Sequence, residues 1–131
     1  MSVRFAMSQP PPTYDQISFG VDLVEACRRE LDFLASVDRH RALGQPGPAV
    51  RRAIRRYETC WLPLAAAHLS ETMAPPLDVH WVWHCHMLAP YCYDADVRRL
   101  VGCVVDHRLL PAADLDKARQ RTRSPFMGVL T

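Results

Sequence analysis

Apolar side chains recur along the chain at helical steps. From Ile17, the positions Val21, Val24, Leu31 and Leu34 follow at three-, four- and seven-residue spacings, while Asp22, Glu25, Arg29 and Asp32 take the opposite face. That pattern predicts an amphipathic helix of about five turns, with Asp15 or Ser18 as its cap. The stretch from Gly44 to Pro48 reads as a loop, and a second helix opens at Pro48 or Ala49. Its stripe is Val50, Ile54, Tyr57, Trp61, Leu64 and His68, with His68 read as a packed core histidine. Arg51, Arg52, Arg55 and Arg56 form a solvated face. Pro63 lies inside this pattern. It lacks an N–H and crowds the carbonyl of Thr59, so a kink or a split is expected there.

Met73-Ala-Pro-Pro76 is the next break, and Asp78 stands after it as a candidate N-cap for a short helix through Leu88. Ala89-Pro90 ends that helix and begins another, whose stripe runs through Tyr93, Val97, Leu100, Val104 and His107 until Pro111. Residues 112–123 are polar and moderately helical; 124–131 carry no clear pattern. No segment alternates convincingly as a strand, and no internal repeat is present. The fold class read from the pattern is all-α, a single-domain bundle of four to five helices over 15–110. A flexible leader over 1–14 precedes it, and a helical or loose C-terminal tail over 111–131 follows.

Composition narrows the partners. At 131 residues with 49% apolar and 23% charged residues, the chain is an ordinary single globular domain. A net charge of +2, with no recognised nucleic-acid motif, argues against nucleic acid as the partner. No apolar run approaches the roughly 20 residues of a membrane span. The 15 Arg against the single Lys117 fit a GC-rich coding sequence better than a phosphate site. The five Cys form no C-x-x-C pair, so the reading is a cytoplasmic protein with reduced thiols and, if it has a partner, a protein one.

One run concentrates the chemistry: Asp78-Val-His-Trp-Val-Trp-His-Cys-His-Met-Leu88 holds His80, His84 and His86, three of the six histidines, with Trp81 and Trp83. Imidazole is the commonest metal ligand and titrates near neutrality. On a regular helix His80 and His84 share a face, whereas His84 and His86 lie about 200° apart. One ion can reach both of the latter only if the helix is breaking toward Pro90. His107 is a further candidate. If the helices on either side of Ala89-Pro90 fold back as a hairpin, His107 comes nearer Asp78 and His80 than His86. Asp78, Asp96 and Asp106 are available as extra ligands or as acceptors for imidazole N–H groups. Cys85, between two histidines, is a weaker candidate nucleophile; Cys92 and Cys103 read as packing residues.

The run from Pro75 to Pro90, followed by Tyr93, Asp96 and Val105-Asp-His-Arg108, resembles the glycine-rich domain-containing protein-like family. Gly47-Pro-Ala-Val50 and Arg56-Tyr-Glu-Thr-Cys-Trp-Leu-Pro-Leu64 are similar to its second helix. The resemblance covers roughly 18–123. It implies that Trp83, His84, His86, Tyr93 and His107 occupy recurring positions, and that position 80 varies. Members occur in plants, fungi, animals and some bacteria, and plant members are connected with development and stress responses. The chain departs from longer members in having no glycine-rich segment and no appended domain, as a short isoform or a fragment would.

The functional expectation is a metal-binding helical domain with His84, His86 and His107 as ligands and Asp78 in support. Zinc is the first choice, iron or manganese the alternative. An open position on such a metal would activate water, or bind oxygen if the metal is iron. No general base or substrate pocket can be read, so the residues name no reaction. The competing expectation is a non-catalytic interaction or scaffold module whose histidines and tryptophans are core.

Overall fold

The structure, a computed structural model, describes residues 17–107, 110 and 112–129, and the side chains among them except those of 112, 113 and 124–129. The expected leader over 1–14 and Asp15 lie outside this set. Among the described residues the fold is all-α. The helices are α1 (Leu23–Asp38), α2 (Pro48–Arg56), α3 (Leu62–Ala67), α4 (Leu77–Met87), α5 (Pro90–Val101) and α6 (Ala112–Val129), with a 3₁₀ turn at Arg41–Leu43. No helix of the described residues is long and apolar enough to cross a membrane.

The expected break at Pro63 takes a specific form. Residues Tyr57–Trp61 wind as a π-helical turn that joins α2 to α3, so the two are one helix with a widened middle. Leu62 N–H reaches back to Tyr57 C=O, a five-residue step. Pro63 offers no N–H to Thr59, and widening the turn relieves the ring's contact with that carbonyl. The wide turn also brings Tyr57, Cys60 and Trp61 to the core side together. With Leu62, Leu64, Val79, Trp83, Tyr93, Val97 and Val105 they form the central cluster. Ile54, expected on this stripe, is exposed, and Ala53 is buried in its place.

α1 differs most from its sequence pattern. It starts at Leu23, where the Asp22 carboxylate accepts the Glu25 N–H at 3.0 Å, so Ser18 is not the cap. The aliphatic stripe faces outward, with Val24 82% and Leu31 68% exposed. The inward side carries Ala26, Arg29, Glu30, Phe33 and Val37, because the Phe33 ring sits 4.4 Å from the His80 ring and 5.3 Å from the His84 ring of α4. One aromatic side chain that packs at a tilt against three α4 rings outweighs several aliphatics left exposed.

Two further ends move. Asp78 is not the cap of α4 but lies in its first turn, ion-paired with Arg56, which is therefore not simply part of a solvated face. α5 stops at Gly102 rather than at Pro111; with φ of 81° that residue takes the left-handed conformation natural to glycine at a helix C-terminus. Leu100 is exposed, and the non-helical residues 104–107 bring Val105 to the Tyr93 hydroxyl and His107 to the His80 ring of α4. The C-terminal segment is helical and docked. Ala118 and Thr122 are buried, and Thr122 Oγ1 accepts the Ala74 N–H at 3.0 Å.

Candidate functional site

α4 carries the histidine run, and its turns send the three rings to two places. His80 and His84, one turn apart, face a cavity of about 510 Å³ between α1, α3, α4 and the segment after α5. His86, about 200° away from His84, faces the opposite wall. Phe33, Trp61, Trp83, Glu30 and His107 line the cavity with His80 and His84.

His107 is brought there by a relay of buried polar groups. Trp83 Nε1–H donates to the Tyr93 hydroxyl at 2.9 Å, and that hydroxyl donates to the Val105 carbonyl. The backbone is thus fixed two residues before His107, whose ring packs edge-on to Trp83 with centroids 4.8 Å apart. The result is a contact between His80 Nε2 and His107 Nε2 at 2.7 Å. One ring donates its N–H and the other accepts, so the accepting ring is neutral. Burial lowers both rings from the ordinary imidazole range, His80 down to about 3, with the charge of His107 adding to the effect at His80. His84 Nε2 lies 3.3 Å from Glu30 Oε1.

On the other wall, Tyr57 O–H meets His86 Nδ1 at 2.8 Å, and His86 Nε2 lies 3.4 Å from Asp96 Oδ2. The Tyr57 and Tyr93 rings both stand edge-on to His86. Burial pushes the Tyr57 phenol far above its usual range, so it stays protonated and donates. Asp96 is held below the carboxylate range by Arg99 and by His86.

Of the four residues expected to hold a metal, His84 and His107 thus line one cavity. His86 and Asp78 lie outside its lining and have the partners Tyr57, Asp96 and Arg56. Among the described residues, no group of three or more His, Cys, Asp or Glu side chains is spaced to hold a metal ion as it stands. His80 enters the cavity group through the hairpin geometry that put it near His107. Glu30 comes from α1, where its polar character and lack of a motif gave no signal. His68 is not a core residue; it is partly exposed, and its Nδ1 meets Glu71 at 2.7 Å. Cys85 gains no activation from its neighbours, since burial pushes its thiol up. Cys92 is exposed rather than packed.

One buried donor in this cavity wall has no acceptor. Trp61 is 1% exposed, and its indole Nε1–H lacks a hydrogen-bond partner among the described residues. A buried unmet donor costs on the order of 1–3 kcal/mol. Trp83, 5.2 Å away ring to ring, has its own N–H paired with Tyr93.

An all-α domain with a histidine-walled cavity on one side of α4 and a Tyr–His–Asp clasp on the other is the class the geometry defines. The chain belongs to the glycine-rich domain-containing protein-like family, whose profile matches residues 4–96. It is similar to glycine-rich domain-containing proteins 1 and 2 of Arabidopsis thaliana, 44% identical to each over 98 residues. Those residues make up 70% of this chain and 12% of each relative, so the chain spans a small part of their length. No solved structure matches the chain. The matched region contains His80, His84 and His86 but stops before His107.

Proposed function

We propose that this domain binds a divalent transition-metal ion, zinc first and iron or manganese as alternatives, through His80, His84 and His107, with Glu30 as fourth donor. The observation that carries this reading is the pair of neutral imidazoles whose Nε2 atoms meet at 2.7 Å in the cavity that His84 and Glu30 also line. A ligating imidazole is neutral, and burial favours the neutral form of both rings. Metal–nitrogen bonds of about 2.0–2.1 Å at a tetrahedral angle set the two nitrogens about 3.3 Å apart. For both Nε2 atoms to face an ion, the donating ring must carry its proton on Nδ1 instead, and the rings must part by a few tenths of an ångström. His84 must also leave Glu30. Because the set has to rearrange, binding is weaker than at a preformed site. This ligand set replaces the expected one of His84, His86, His107 and Asp78.

The test is elemental analysis and zinc titration of untagged protein, beside a His80→Ala/His107→Ala double variant and a His86→Asn variant, each checked for folding. The expected result is about one equivalent of zinc in the wild type and in His86→Asn, lost in the double variant. No uptake by a folded wild type, or loss in His86→Asn alone, sinks the ligand set.

A second reading is a non-catalytic scaffold in which all these histidines are structural. It is favoured by the protein partner that each of His80, His84 and His86 already has. It predicts a folded, metal-free protein whose histidine variants differ only in stability.

A further inference from the structure

The outward side of α1 has no role in the cavity or in the clasp around His86. At about 100° per residue, Leu23, Val24, Cys27, Leu31, Leu34 and Ala35 fall within roughly 120° of the helix circumference. All six are exposed, Val24 and Leu31 more than Leu23 and Leu34. A stripe of that width is what an amphipathic helix turns toward a partner, yet α1 meets its own domain with the other side, through Phe33 and Val37. The six side chains leave on the order of 500 Å² in water, so pairing two copies face to face covers roughly 1,000 Å², the size at which a specific interface begins. The two borders of the stripe differ. One carries Glu25, Arg28 and Asp32, with Arg28 bound to both carboxylates of its own chain. The other is apolar, at Leu23 and Leu34.

We infer that this face binds a second copy of the chain, α1 against α1 in antiparallel sense. The twofold axis of an antiparallel pair sets each border against its own copy, charged against charged and apolar against apolar. A parallel pair would lay the charged border of one helix on the Leu23 and Leu34 border of the other. Acid, base and acid in that order also suit the antiparallel sense. The register that brings Leu31 beside Leu31 of the second copy, and Val24 beside its Ala35, levels Arg28 with its Asp32, twice by symmetry. Each Arg28 keeps Glu25 of its own chain. The area is at the lower end for specific association and the ion pairs are exposed, so the dimer is reversible and of micromolar strength or weaker. The inference stands apart from the metal reading, because Glu30 turns inward to His84.

Sedimentation equilibrium of the untagged, chelator-treated full chain, from low micromolar to near-millimolar concentration, tests it. The wild type is expected to pass from monomer to dimer. Leu31→Asp places a charge at the centre of the stripe and is expected to weaken the dimer by about thirtyfold or more with the fold intact. Leu100→Asp, at an exposed leucine of α5, is expected to leave it unchanged. Arg28→Asp should weaken it several-fold, and Arg28→Asp/Asp32→Arg should restore it, since the pairs across the axis are then reversed but complete. A wild type that stays monomeric at every concentration, or that dimerises only when zinc is added, overturns the inference. So does a dimer that survives Leu31→Asp or is lost in Leu100→Asp. A double variant no better than Arg28→Asp overturns the antiparallel pairing. If the wild type is monomeric and Leu31→Asp lowers its melting temperature sharply, the stripe is covered from within the chain and the inference fails. Should Leu31→Asp not fold, Val24→Ser takes its place, with about a tenfold weakening expected.

Discussion

His84 and His86 are two residues apart on one helix, yet their surroundings have little in common. His86 is clasped. Its Nδ1 holds the Tyr57 hydroxyl, its Nε2 faces Asp96, and two tyrosine rings stand edge-on to it. His84 borders a cavity, stacks on the Trp81 ring and has a single carboxylate at 3.3 Å. The difference comes from helical geometry alone, since a step of two residues turns about 200°. A histidine pair spaced H-x-H on a helix therefore serves two walls, and the two rings are not one ligand pair. The His86 wall joins the π-helical turn to α5. The His84 wall is where a guest has room.

Tyr93→Phe tests the joint between the two walls and has the largest expected effect. Its hydroxyl takes the Trp83 N–H and gives its proton to Val105 C=O, so the substitution leaves two buried groups unmet. A loss of about 3 kcal/mol in chemical denaturation is expected. Because Val105 anchors the approach of His107, zinc uptake should weaken as well. A Tyr93→Phe protein of wild-type stability would break the relay.

His86→Ala comes next, with about 2 kcal/mol expected. Tyr57 is 4% exposed, and its hydroxyl loses its partner while two edge-on ring contacts disappear. Zinc uptake by the folded fraction should be unchanged. If stability is unaffected but metal is lost, the assignment of the two walls is reversed.

Acidity acts mainly on the cavity wall. In the metal-free protein His80 and His107 resist protonation, whereas the unfolded chain protonates them near pH 6.5. The sign follows: below that pH the unfolded state binds more protons, so stability is full above pH 6.5 and falls as the pH drops toward 3. The slope is at most about 1.4 kcal/mol per pH unit for each histidine. Denaturation midpoints between pH 7.5 and 5 measure it, and His80→Gln should flatten the curve. A flat wild-type profile would mean that the pair is not held neutral.

These contrasts also mark what the sequence made legible. The helix content and the breaks at Pro63 and Ala89-Pro90 were readable, because proline interrupts a helix locally and the 3.6-residue period dominates, whereas the hairpin across Ala89-Pro90 stood only as one possible arrangement. The inward face of α1 was not readable. Counting aliphatics chose Val24 and Leu31, while the packing is decided by Phe33 meeting rings that lie about fifty residues away in the chain. The end of α5 was placed at Pro111, although Gly102 supplies the left-handed residue that stops it. That shift takes His107 off the helix, and the Tyr93–Val105 hydrogen bond then sets it at the cavity. Glu30 was out of reach for the same reason as the face of α1, since a carboxylate on a surface helix gains its role only from what packs against it.

His84→Gln sharpens the comparison at its smallest. The His84–Glu30 contact is 3.3 Å long and Glu30 is half exposed, so as an ion pair it contributes little. Glutamine fills a similar volume and can still meet Glu30 through its amide. The expected loss in stability is below about 1 kcal/mol, less than at His86 two residues away. Metal affinity should respond differently, because an amide is a poor substitute for imidazole at zinc, and a weakening of about tenfold or more is expected. A zinc titration run beside the denaturation curve separates the two effects. A large stability loss with unchanged zinc uptake would make His84 a structural residue like His86, and the two walls would then differ in position but not in role.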